Sequence, residues 1–186
     1  MYDERHAVLE LSKGKLTTGP ANHTGEGIFF TSRIFDFFAI LSGKVYFSHT
    51  NENVEDWIVE AQRFQNGTGV SMKLTNNTAR TTNHVFDAFT SDEDYGFTKT
   101  VIPVRLAQYG KEKLVSRSQA KRLLAQIEVF QTVIFDFEDV ESVGQAFADE
   151  VFRVFQNQHP NIELFHINSS TAVEKMISRA TKREAS

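Results

Sequence analysis

The stretch from Val133 to Phe155 most constrains what this chain can fold into. Val133-Ile-Phe-Asp-Phe137 is a short apolar run, the pattern of a strand buried on both faces. Glu138-Asp-Val-Glu141 follows as an acidic turn. Gly144 then opens a segment to His159 in which Phe147, Val151, Phe152, Val154 and Phe155 form one apolar side, and Pro160 ends it. Ile162–Ile167 reads as the next strand. A strand, a helix and a further strand imply a crossover with parallel neighbours, so this part of the chain is expected to be α/β.

The pattern extends in both directions. Ser116 is placed to cap a helix running to about Phe130, with Ala120, Leu123, Leu124 and Ile127 facing inward. Thr98–Leu106 reads as a strand whose internal Pro103 requires an edge position or a bulge. Lys113–Val115 is a candidate second short strand. Ser170 is expected to cap a last helix, Ala172 to about Ala180. Upstream, Ile28, Phe29, Ser32, Phe35 and Phe38 recur at steps of three or four, predicting a helix over Glu26–Phe38. Val45–His49 reads as a strand, and Asn51–Asn66 as a loop in which Trp57–Val59 could extend. Val70, Met72 and Leu74 alternate with Ser71, Lys73 and Thr75, predicting a half-buried strand over Gly67–Thr75 that pairs antiparallel with the first. Ser12–Thr24 reads as a polar loop, and Thr75–Asp94 as a linker carrying a short helical turn around Val85, Phe86 and Phe89.

Composition excludes several classes of function. Seventeen Phe against one Trp place most rings in an interior, because Phe has no polar atom to satisfy. A net charge of −4 argues against direct nucleic-acid contact, which rests on Lys and Arg neutralising phosphates. The chain has no cysteine, hence no disulfide, thiol nucleophile or Cys-ligated zinc. No apolar run approaches the ~20 residues of a membrane helix, and Met1–His6 is polar, so a cytoplasmic protein is expected. His6, His23, His49, His84, His159 and His166 show no metal-ligand spacing. No metal site, no catalytic residue and no enzyme activity are expected. Asp136, Glu138, Asp139 and Glu141 read as a solvated acidic turn. Arg117, Lys121 and Arg122 read as a solvated helix face. A pairing of Asp149 or Glu150 with Arg153 reads as a surface interaction.

From Phe97 onward, Leu114-Val-Ser-Arg-Ser-Gln-Ala-Lys-Arg-Leu-Leu124, Phe135-Asp-Phe137, Val140-Glu-Ser-Val-Gly-Gln-Ala-Phe-Ala-Asp-Glu150 and Asn157-Gln-His-Pro160 resemble the STAS-like family of unknown function, a relative of the sulfate-transporter and anti-sigma-factor-antagonist domain. The resemblance implies a domain over residues 97–183, a layered α/β sheet with flanking helices, and a bacterial regulator acting through a protein partner, in signalling or transcriptional control. Antagonists of that wider family carry a phosphoacceptor Ser or Thr where a helix follows the central strand. Gln145 and Ala146 stand near that position here, and neither accepts phosphate. Ser142, Gly144 and Gln145 form the expected partner-binding or switch patch, with Ser142 read as a helix cap or turn residue and, alternatively, as a phosphoacceptor.

Over Ala7–Thr75, Gly14-Lys-Leu-Thr-Thr18, His23-Thr-Gly-Glu-Gly-Ile-Phe-Phe-Thr31, Gly43-Lys-Val-Tyr46 and Gly67-Thr68 resemble the C-terminal half of a gyrase–histidine-kinase–MutL type ATPase. That resemblance implies a partial α+β segment over residues 1–90, with Lys15, Thr24, Gly25, Gly27 and Thr68 in the phosphate region. The upstream helix with its catalytic Glu and magnesium-binding Asn has no counterpart, nor has the Asp-x-Gly-x-Gly turn that reads adenine. ATP and magnesium are expected only if the missing half comes from upstream sequence or a partner chain, which would make the protein an ATP-binding switch or a kinase-like ATPase. A third alternative, a small-molecule sensor, is suggested by the Phe-rich interior. It predicts an enclosed apolar pocket with a few polar groups.

Overall fold

A computed structural model describes residues 4–17, 23–51, 55–90, 96–108 and 112–182. The start at Met1–Asp3, Thr18 of the first ATPase-like motif and the Ser91–Asp94 end of the expected linker lie outside the described residues. The chain divides into two compact units, Met1–Phe97 and Thr98–Ser186.

The amino-terminal unit contains α1 (Glu4–Lys13), α2 (Gly27–Ile34), β1 (Phe37–Thr50), β2 (Glu55–Lys73) and α3 (Thr82–Asp87). β1 and β2 form an antiparallel pair, as expected, but a much longer one. The helix expected over Glu26–Phe38 stops at Ile34. Phe35 turns extended, and the Asn51 side-chain amide donates to the carbonyls of Arg33 and Phe35, taking up helix-end acceptors. Phe38 belongs to β1 and pairs with Met72. The loop expected over Asn51–Asn66 is strand from Glu55 onward. Alternation over Val70 and Met72 does mark a strand, but the expected half-burial fails. Val70 is 52% exposed and Met72 50%, although both lie on the face of Phe38 and Ile40.

The helical turn expected inside the linker is α3, capped by Thr81, whose hydroxyl accepts from the His84 N–H. Phe86 and Phe89 from this stretch stack into an aromatic group with Phe29, Phe30 and Phe97, at centroid distances of 4.1 Å for Phe30–Phe86 and 4.5 Å for Phe29–Phe97. The Arg33 guanidinium lies 3.5 Å over the Phe29 ring. α1 carries an ion pair, Lys13 to Glu10 at 2.6 Å, with both residues buried.

In the carboxy-terminal unit, β3 (Lys99–Pro103), α4 (Arg117–Leu124), β4 (Thr132–Asp136), α5 (Gln145–Asp149), a π turn (Glu150–Phe155), α6 (Gln156–Gln158), β5 (Glu163–Ile167) and α7 (Thr171–Thr181) follow in order. The three strands are parallel, in the order β3-β4-β5. Both crossovers step the same way across the sheet, so right-handed connections send α4 and α5 to one face, where they pack on each other and α5 on α7. Ile102, Val133, Phe135 and Phe137 are buried, and Phe152 meets Phe135 at 5.8 Å. Residues Phe147 to Phe152 are all buried, because α5 and the π turn have the sheet on one side and α4 and α7 on others.

Pro103 closes edge strand β3, the position its missing N–H allows. Ser116 caps α4 in a full capping box with Gln119. The helix ends at Leu124, short of Phe130, and a 3-10 turn over Ile127–Val129 follows. Ser170 caps α7 as expected. Leu114 makes only an isolated bridge to Val143 and no strand. Among the described residues no helix is long and apolar enough to cross a membrane.

Candidate functional site

The residues singled out in the amino-terminal unit fall in two places. Gly25 (φ 74) lies against the chain at Lys15–Leu16, where an added Cβ would sit 2.5 Å from the Leu16 carbonyl oxygen, so only glycine fits. Gly27 opens α2 behind Glu26, whose side chain makes no capping bond. Thr24, Gly25 and Gly27 line a shallow concavity of about 500 Å³ with Leu16, Thr17, His23, Glu26 and Ile28. The Lys15 ammonium is directed over the Phe97 ring at 5.4 Å. Partial burial lowers its pKa, opposed by the charge of Glu26. Thr68 is not brought to this loop. It sits in β2, its hydroxyl 3.0 Å from that of Ser42, and lines a different groove.

In the carboxy-terminal unit Ser142, Gly144 and Gln145 are brought together at the start of α5. Gly144, not Ser142, is the N-cap residue. Ser142 is displaced from that role because Val143 bridges to Leu114, and the Gly144 N–H donates to the Leu114 carbonyl at 2.7 Å. A Cβ on Gly144 would lie 2.7 Å from the Val115 Cα, so glycine is needed for this close approach. The contact places the start of α5 beside the start of α4. Gln119 fixes the second helix start: its side-chain oxygen accepts from the N–H groups of Val115 and Ser116, both at 2.9 Å. At this junction Val115 is 52% exposed and Gln145 is exposed beside it.

Beneath the exposed rim lies a charge cluster that sequence reasoning misplaced. Asp149 was read as a surface partner of Arg153, yet it is 3% exposed. Arg153 holds it in a two-pronged pair at 2.6 and 2.7 Å. Arg117 approaches Asp149 at 3.5 Å, and Lys121 approaches buried Glu150 at 3.8 Å. The face of α4 read as merely solvated therefore lies over two buried carboxylates. The i,i+4 spacing of Asp149 and Arg153 was visible. The signal for burial was the apolar residues flanking Asp149–Glu150 on both sides.

In the acidic turn Asp139 and Glu141 are exposed as expected, and Asp136 departs from expectation. Asp136 is buried at the end of β4 and accepts from the Glu138 N–H at 3.0 Å and the Asn168 amide at 2.9 Å, tying the exits of β4 and β5 together. Asp139, exposed and at φ 61, pairs with Arg105 at 2.8 Å. Ser170 donates to the Glu141 carbonyl. Among the described residues, no group of three or more His, Asp or Glu is arranged to hold a metal ion. The polar groups of this end of the sheet are spent on each other, while Val115, Gln145 and Arg117 present outward.

The comparisons with known proteins bear on this unit alone. No curated protein matches the chain. No solved structure matches it either. Residues 119–174, from the capping glutamine of α4 into α7, match the family model of a STAS-like domain of unknown function (DUF4325), so the chain carries a STAS-like domain there.

Proposed function

We propose that this is a bacterial regulatory protein that works by binding another protein through the paired starts of α4 and α5. The observation that supports it most is the junction itself. Val115 is apolar and exposed, Gln145 and Arg117 flank it, and the backbone beneath is fixed by Gly144 and the Gln119 capping box. A rigid, pre-ordered patch with an apolar centre and a polar rim loses little entropy on docking. Gln145 and Ala146 cannot accept phosphate where the wider family carries its acceptor, so in this reading partner choice rests on shape and hydrogen bonding. Control of transcription is one outlet for such a contact. The nucleotide-switch alternative draws less support, because Thr68 lies away from Gly25 and Gly27.

A photo-crosslinking residue placed at Gln145, in cells that naturally make the protein, tests this. One or a few discrete protein adducts are expected, lost on Val115→Asp. The control is the same residue at exposed Glu128. Equal labelling from both positions would remove the reading.

A further inference from the structure

We propose that the amino-terminal unit binds an uncharged, mainly apolar small molecule in the groove between α1 and the irregular middle of the β1–β2 hairpin. The groove encloses about 500 Å³, inside the range of about 300–1,000 Å³ common to ligand sites. Buried Val8, Val45 and Phe47 form its floor, Leu11 and Ile40 its walls. Exposed Ser42, Asn66 and Thr68 stand at the mouth.

Three observations fix the class of ligand. Among the described residues no lining residue is charged or titratable, so these offer an ionised group nothing to replace the water it would lose. That disfavours phosphates and carboxylates. The Ser42 and Thr68 hydroxyls lie 3.0 Å apart. One O–H is used between them and the other is left to donate, while both oxygens can still accept. This pair suits one hydroxyl, carbonyl or amide on an otherwise apolar molecule. Size decides against a docked helix: one turn about 10 Å across and 5.4 Å long already fills on the order of 400 Å³.

The backbone supports the same site independently. Between Gly43↔Gln65 and Val45↔Glu60 the register slips, two steps on β1 matching five on β2. Such bulges commonly re-aim side chains beside functional sites. Here the slip changes the parity of β1, so that Val45 and Phe47 join Phe38 in one apolar cluster with Val8. Without it, the floor of the groove would point to the opposite face. The proposal concerns a different unit from the protein-docking patch, and neither depends on the other.

The test uses the full chain and N-phenyl-1-naphthylamine, an uncharged apolar fluorophore. Saturable binding at one probe per chain is expected. Thr68→Phe at the exposed mouth and Ala7→Trp on α1 should each weaken it at least tenfold while circular dichroism stays unchanged. Decanol should displace the probe at least tenfold more effectively than decanoate. Absence of saturable binding, or binding indifferent to both substitutions, would overturn the site. Equal competition by decanoate would overturn the uncharged class. Loss of probe binding as the protein dimerises, followed by light scattering, would assign the groove to a second copy instead.

Discussion

The two units bury their side chains by different rules. In the carboxy-terminal unit each strand and helix carries its own apolar set inward: Ile102 and Val104, Val133 and Phe135, Phe147 and Val151 are all fully buried, and the buried carboxylates Asp149 and Glu150 are met by cations that reach solvent, Arg117, Lys121 and Arg153. In the amino-terminal unit cations are buried too. Lys13 is among the most buried side chains of the molecule, held by Glu10, and Arg33 stacks within the phenylalanine group. Its hairpin meanwhile leaves Val70, Met72 and Leu74 open to solvent. A unit built from βαβ steps can satisfy itself locally. A unit built on one long hairpin depends on whatever helix happens to cover each stretch of it.

The largest expected effect follows from the buried pair. Removing one partner of a buried ion pair leaves the other charged and desolvated, which typically costs about 3–5 kcal/mol. Lys13→Met keeps most of the volume and should destabilise the amino-terminal unit by that amount. Glu10→Leu combined with Lys13→Met should recover most of the loss, since an apolar pair of similar size is often neutral. Trp57, the one tryptophan, lies in β2 and makes fluorescence-detected urea unfolding a reporter for this unit. A double variant as unstable as Lys13→Met alone would show that the pair does more than neutralise itself.

The matching test in the other unit is smaller and steric. Gly144→Ala puts a Cβ 2.7 Å from the Val115 Cα, a contact with backbone that cannot rotate away. Overpacking of this kind costs about 1–3 kcal/mol. Hydrogen exchange should show it as faster exchange of the α5 amides, with Trp57 fluorescence unchanged. Val115→Gly in the same chain removes the 2.9 and 3.1 Å side-chain contacts and not the shortest one, so it should restore only part of the loss. Full restoration would mean that the helix starts are held apart by the valine side chain and not by backbone proximity.

The same contrast explains what was legible in the residues. Strand β4, the helix from Gln145, the caps Ser116 and Ser170 and the edge role of Pro103 could all be read, because each is set within a few residues. The amino-terminal unit hid its architecture. Phe35 and Phe38 continue a helical spacing, but carbonyls captured by Asn51, sixteen and eighteen residues away, end the helix first. The polar stretch before Asn66 looks like a loop because its residues lack the apolar alternation by which a strand is read, yet β2 runs through it. For the site, Ser142, Gly144 and Gln145 were visible as a helix start. Val115 was not, since its place beside Gly144 comes from a bridge between Leu114 and Val143 with no local trace. Burial of Asp136 was hidden for the same reason, since its partner Asn168 is distant in the chain, whereas the apolar residues flanking Asp149 did carry a signal.

The smallest effect sharpens the comparison from the solvent side. Asp36, at the turn into β1, accepts from the Thr75 backbone N–H at 2.7 Å and the Thr75 hydroxyl at 2.8 Å, and meets Arg80 at 3.0 Å. The Thr75 backbone bond first and the Thr75 hydroxyl next, with Arg80 adding less, hold its carboxyl below the ordinary range against the opposing effect of burial. A carboxyl with a folded pKa below its unfolded value of about 3.9 stabilises the fold above that pH. The contribution is lost as pH falls through the folded value. Wild type and Asp36→Asn should therefore differ by a constant amount above about pH 5, and converge as the pH drops below about 4. Because Thr75 contributes more than Arg80, raising salt to about 1 M should screen only the minor part of the difference. Parallel curves for Trp57-detected melting across pH 3–7 would show that Asp36 titrates alike in both states.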